Sequence, residues 1–204
     1  IDPDASNGLA YELVDLDGKT KWRLLQNDGT HVSINSNVGA TVVARIKTTV
    51  PAGGSDISQE NLIIYDAQVA ASLYWGGPDG YLGEGMRGAY VTWPSDDQYH
   101  IVRLTSQNLG PDYGVQIRVY VDENPVPVLV LNNASTVNAT PGGFDGIGFG
   151  CSRSTAFAQT ISYDWITGTN MGVFAPGEED ACIGSLVAPN ECAPEPFADA
   201  DKDG

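Results

Sequence analysis

The sequence predicts an all-β protein, a sandwich or barrel of antiparallel strands, and three observations carry that reading. Short segments alternating between apolar and polar residues recur along the chain, the period-two signature of a half-buried strand. Turn-forming clusters separate them: "LDGK", "NDGT", "PAGGSD", "GGPDG", "PSDD", "LGPDYG", "DENP" and "TPGGFDG". No stretch shows the 3.6-residue period of a long amphipathic helix, while 24 glycines and 12 prolines supply the turns that many short strands need.

Taken in chain order, the expected strands are "AYELVDL", "TKWRLLQ", "TVVARIKT", "NLIIYDA", "VAASLYW", "RGAYVTW", "HIVRLTS", "VQIRVYV", "PVLVL", "FDGIGFG" and "ISYDWI". The clearest is "VQIRVYV", where Val115, Ile117, Val119 and Val121 share one face and Gln116, Arg118 and Tyr120 the other. In "TVVARIKT", Val42, Ala44 and Ile46 oppose Val43, Arg45 and Lys47 in the same way. With one face of each strand polar, both sheets are expected to have wet outer surfaces. Trp22 and Trp165 lie inside strong strands and are expected in the core.

Composition narrows the function classes. With 42% hydrophobic and 18% charged residues, 204 residues suffice for one substantial core and a tail. The net charge of −16, from 26 acidic against 10 basic residues, argues against a nucleic-acid partner and against anionic membranes. No run of 18 apolar residues is present, so no helical membrane span is expected. An acidic surface suits a secreted protein in a medium rich in divalent ions. The start "IDPDASNGLA" has neither an initiating Met nor an apolar signal segment, which reads as a mature terminus or a trimmed start.

Cys182 and Cys192 bracket a Gly- and Pro-containing stretch and are read as a disulfide of an oxidising compartment; three reduced thiols are the alternative. Cys151 is then a small buried hydrophobe. The sequons at Asn133 and Asn138, in "NNASTVNATPGG", predict a surface loop.

After "MGVFAPG" the texture changes to an acidic, proline-containing segment over residues 177–204. It ends in "PFADADKDG", where Asp199, Asp201, Asp203 and Gly204 match positions 1, 3, 5 and 6 of a calcium loop. Alternate carboxylates converge on a hard cation there, and the glycine permits the turn. Positions 7, 9 and 12 fall beyond Gly204, so the chain is expected to continue; an acidic solvated tail is the other reading.

Residues 41–176, about two-thirds of the chain, resemble laminin G-like, concanavalin A-like jelly-roll domains. The resemblance rests on "ATVVARIKT", "YHIVRLT", "VQIRVYVDENPVPVL", "FDGIGFG" and "ISYDWITGTNMGVFAPG" in that order. It implies a two-sheet antiparallel jelly-roll sandwich over residues 1–176. The tail "CAPEPFADADKDG" resembles the entry to a dockerin-type or thrombospondin type 3 calcium module, as found in secreted planctomycete-type bacterial proteins.

Jelly rolls of this kind include enzymes, so catalysis is tested against the residues. The E-x-D-x-x-E strand of retaining glycoside hydrolases is absent; Glu60, Glu84 and Asp164 each lack a spaced partner carboxylate. There is no G-x-S-x-G nucleophile elbow. "QYHIVRLT" offers a lyase Tyr99, His100 and Arg103, but alternation sends Tyr99 and His100 to opposite faces. An ordinary strand histidine accounts for His100 as well.

Binding has more support. A carbohydrate site needs aromatic faces beside planar polar groups. Residues 72–100 concentrate Tyr74, Trp75, Tyr81, Tyr90, Trp93 and Tyr99 among turns and acids. Trp75, Tyr81, Trp93 and Arg103 are the expected ligand-binding residues; strand-end aromatics capping the core are the alternative. Asp79, Asp96 and Asp97 are candidates for a loop calcium site. The sequence thus describes a secreted, non-catalytic module binding carbohydrate or matrix polymer, possible calcium included. The alternatives are a self-assembling subunit of an extracellular filament, sheath or surface layer, and a polysaccharide-cleaving enzyme with an unrecognised site.

Overall fold

Period-two alternation can be satisfied only if each strand lays its apolar face against a second layer, and the computed structural model shows that arrangement. It describes residues 10–15, 21–24, 26–27, 30–31, 33–49, 60–65, 70–76, 81–84, 89–92, 98–112, 114–134, 146–151 and 159–178. These contain fourteen strands and no helix: β1 (Tyr11–Asp15), β2 (Lys21–Leu24), β3 (Gln26–Asn27), β4 (Thr30–His31), β5 (Ala40–Thr49), β6 (Glu60–Tyr65), β7 (Ala70–Gly76), β8 (Tyr81–Glu84), β9 (Ala89–Thr92), β10 (His100–Asn108), β11 (Val115–Val121), β12 (Leu129–Ala134), β13 (Gly146–Cys151) and β14 (Gln159–Thr169).

Two six-stranded antiparallel sheets form a jelly-roll-type sandwich. The first runs β1-β14-β5-β10-β11-β12 and the second β2-β13-β6-β7-β8-β9, with β3 and β4 as a separate small hairpin. All eleven expected segments appear as strands. The short β8 was not anticipated, and β12 extends through Asn133, which was expected in a loop.

The core follows the sequence pattern. Val42, Ala44 and Ile46 of β5, Val102 and Leu104 of β10, and the four odd-numbered residues of β11 face Leu62, Ile64, Leu73 and Ile147 of the second sheet. At the β13–β14 end Tyr163 spans the interior. Its hydroxyl accepts the Gly150 N–H at 3.1 Å and donates to the Gly150 carbonyl at 3.0 Å, tying the two sheets together.

The expected wet outer surface fails over the middle of the first sheet. Register aligns Val43, Arg103 and Tyr120 in one row and Thr169, Thr41 and Thr105 in the next, and all six are buried. The cause is the chain that follows β14, which turns back across this face as a strap. Thr41 Oγ1 donates to the Gly172 carbonyl and accepts the Phe174 N–H, both at 3.0 Å. Arg103 donates to the Phe174 carbonyl at 3.1 Å, and the Phe174 ring is itself buried. Gly39, at φ +93°, gives the strap room: a Cβ there would lie 2.6 Å from Val173 Cγ2. The strap ends in a type II turn, with Pro176 second and Gly177 third at φ +84°, closed by Glu178 N–H to the Ala175 carbonyl at 3.0 Å.

Tyr163→Phe keeps the ring but leaves two buried backbone groups of Gly150 without their partner. A loss of about 1–3 kcal/mol is expected, read as a lower urea midpoint at unchanged slope. An unaltered midpoint would show that the hydroxyl does not tie the sheets.

Candidate functional site

The sequence "SYDWI" predicts Tyr163 and Trp165 on one face, and the structure separates them. Tyr163 pairs with Ile46 and faces the core, whereas Trp165 pairs with Arg45, the very next residue of β5, and Ile166 pairs with Ala44. Asp164 is the extra residue of a β-bulge, which reverses the parity of everything after it. Trp165 therefore emerges on the outer face, 36% exposed, rather than in the core, while Ile166 packs inward. The signal was present in the spacing of inward residues: Ile161, Tyr163 and Ile166 are separated by two and then three positions.

The bulge buries the Asp164 side chain completely, and its carboxylate forms an ion pair with the Arg45 guanidinium, whose side chain stays 25% exposed. A buried carboxylate needs such a partner, since an unpaired one costs several kcal/mol. Arg45 also stacks 4.6 Å from the centroid of the Tyr99 ring, and Lys47 Nζ lies 4.6 Å from the same centroid.

Beside this cluster β1 stops pairing at Tyr11, opposite Tyr163, while β14 runs on. The step leaves a cleft of about 420 Å³ lined by Ala10, Tyr11, Phe149 and residues 163–166. That volume is within the range of small-ligand sites. Its aromatic wall is built from edge-to-face contacts, Tyr11 to Phe149 at 5.9 Å and Phe149 to Tyr163 at 5.2 Å between centroids. Tyr11, 45% exposed, and Trp165 present partly open rings at the cleft. The arrangement offers flat apolar surface for stacking. Its ionisable groups are already engaged, Asp164 by Arg45 and the Tyr163 hydroxyl by Gly150.

The residues expected from sequence to bind ligand are not gathered into one constellation. Arg103, on β10 of the first sheet, is 3% exposed; besides Phe174 it forms an ion pair with Glu123. Glu123 and Asp122, at φ +54° and +52°, make the two-residue turn after β11, closed by Asn124 N–H to the Val121 carbonyl at 3.1 Å. Asp122 in turn accepts the Ile101 N–H at 3.1 Å and lies 2.9 Å from His100 Nδ1. The region around "QYHIVRLT" is thus knit into the turn and the strap.

Trp75 and Tyr81 belong to the second sheet, at alternate positions of the β7–β8 ladder: Trp75 is opposite Leu82, and Tyr81 opposite Gly76. Trp93, Asp79, Asp96, Asp97, Asn138, Cys182, Cys192, Asp199, Asp201 and Asp203 lie outside the described residues. Among the described residues no group of three or more His, Cys, Asp or Glu is placed to hold a metal ion.

No family model matches the sequence, and no curated protein sequence matches it. Among solved structures the chain is similar to alginate lyase AlgAT5 from polysaccharide lyase family 7, at 14% identity and a TM-score of 0.49, covering 80% of this chain and 79% of that one. It is also similar to the carbohydrate recognition domain of Emp47p, at 11% identity and a TM-score of 0.42, covering 81% and 88%. A third is the binding domain of botulinum neurotoxin DC in complex with rat synaptotagmin II, at 8% identity and a TM-score of 0.44. The match covers 81% of this chain but only 44% of the toxin chain. Likeness at this level does not bear on what the chain binds.

Asp164→Asn strips Arg45 of its counterion and is expected to cost on the order of 3 kcal/mol in chemical denaturation. Replacing both partners, Arg45→Met with Asp164→Leu, should recover most of that loss, because no buried charge remains. Equal damage from the single and the double change would show that the charge pairing is not what the bulge requires.

Proposed function

We propose that the chain is a secreted, non-catalytic β-sandwich module that binds carbohydrate in the cleft between Tyr11 and Trp165. The observation that carries the reading is the pair of partly exposed aromatic rings flanking an apolar cleft at the step between β1 and β14. Sugar rings present flat C–H faces to such rings, and their hydroxyls can meet polar groups at the rim. Non-catalytic status is supported by the engagement of Asp164 and Tyr163, which leaves neither as a ready acid or base. Secretion is supported by the acidic composition and the absence of clustered cations in the sequence.

Calcium belongs to the acidic tail in this reading. The alternate spacing of Asp199, Asp201 and Asp203 supports it. Calorimetric titration with calcium should give a dissociation constant of about a millimolar or weaker. It should vanish in Asp201→Asn; heat that survives that change would place the ion elsewhere.

For the glycan site, Trp165→Ala and Tyr11→Ala should each weaken polysaccharide binding about tenfold, equivalent to about 1.4 kcal/mol. Affinity electrophoresis against a panel of polysaccharides measures it, with circular dichroism confirming that the sandwich persists. Unchanged mobility shifts in both variants would move binding away from this cleft.

A further inference from the structure

We infer that the carbohydrate taken by this cleft is neutral and flat-faced, a polymer of pyranose rings whose hydroxyls are equatorial; this rests on the glycan reading above. The hydrogen-bonding capacity left at the cleft carries it. The two buried polar side chains of the lining are satisfied internally. The Asp164 carboxylate is paired with Arg45, and the Tyr163 hydroxyl both donates to and accepts from Gly150. Two polar tips remain. Neither the Trp165 indole N–H nor the Tyr11 hydroxyl has a hydrogen bond among the described residues, and both rings are partly exposed. Both tips are uncharged: one is an N–H donor, the other a hydroxyl that donates or accepts. Main-chain groups add to them, because beyond Tyr163 β14 has no ladder partner on its β1 side among the described residues.

The surrounding charges cancel. Arg45 and Lys47 of β5, both stacked on Tyr99, are matched by Asp164 and Glu12. Glu12, Ser162 and Lys47 lie in one row across β1, β14 and β5. No local field therefore selects a charged sugar, while the net charge of −16 opposes a polyanion as a whole. The lining among the described residues includes no Lys or Arg, so a carboxylate entering the cleft would lose hydration without gaining a partner. Shape adds a second restriction. Register sets Tyr11 beside Tyr163 on the inner side of the first sheet and Trp165 on its outer side, so the cleft wraps the edge of β14. Between the two rings the wall is made by Ala10, Phe149, Tyr163 and Ile166, with Asp164 engaged by Arg45. An axial hydroxyl directed at that wall would stay unpaired. A ring with equatorial hydroxyls presents only C–H groups to the aromatic faces and turns its oxygens to the open side.

The test is calorimetric titration with three polymers: neutral hydroxyethyl cellulose, carboxymethyl cellulose on the same β-glucan backbone, and a β-mannan, whose rings each carry one axial hydroxyl. The neutral glucan should bind at least about tenfold more tightly than the carboxylated one and at least about threefold more tightly than the mannan. Its affinity should change less than about twofold between about 50 and about 500 mM salt. Tyr11→Phe and Trp165→Phe each keep an aromatic ring but delete a polar tip, and each should weaken neutral-glucan binding about three- to fivefold. Carboxymethyl cellulose bound as tightly as the neutral polymer, or mannan as tightly as glucan, with binding lost in Trp165→Ala, would leave the glycan site standing and overturn the preference. Full affinity in both Phe variants would show that the tips take no part and overturn it as well. No binding to any polysaccharide, these three included, would remove the glycan reading itself and this inference with it.

Discussion

The buried carboxylate of Asp164 constrains more of this protein than any other single group. With its side chain fully buried at the bulge, it demands a cation, and Arg45 on the neighbouring strand answers it. The register of β14 against β5 is then pinned on both sides of the bulge, by Tyr163 and Ile161 before it and by Ile166 after it. A slip of one residue would carry these side chains to the wrong face and leave the carboxylate without its partner. The same bulge turns Trp165 outward at the step where β1 ends. One local irregularity thus creates both the aromatic surface and the fixed guanidinium beside it.

A second polar device closes the opposite part of the sheet. Arg103 and Thr41 point away from the hydrophobic core, where alternation would leave them to water, but the strap from Asn170 to Glu178 covers them. Both hydrogen-bond to strap backbone, so the strap satisfies groups that would otherwise be buried without partners. The result is a first sheet whose outer face is dry at its centre, while Trp165 toward one edge and Val130 toward the other stay exposed. Polar residues on a strand do not guarantee a solvated face when a later segment returns over them.

Most of the architecture was readable before any coordinates. "VQIRVYV" and "TVVARIKT" display their inward faces in the letters themselves, and the odd-numbered residues of β11 are buried as alternation requires. The site was far less legible. The expected ligand residues followed the density of aromatics between 72 and 100, whereas the cleft draws on Tyr11 near the start and Trp165 near the end of the chain. Arg45 and Asp164 are 119 residues apart, and nothing in either neighbourhood announces the other.

The sequence by itself determined the antiparallel two-layer body, because period-two burial is a local property that each strand states independently. It also determined the acidic character of the chain and the calcium-loop spacing of Asp199, Asp201 and Asp203. Only the tertiary structure decided that Trp165 faces outward and Arg103 lies under the strap, and which residues line the cleft. Those outcomes turn on an extra residue in a ladder and on a segment folding back over a sheet. Both are settled by pairing between distant strands, where the cost of an unpartnered buried charge or hydrogen-bonding group outweighs local alternation.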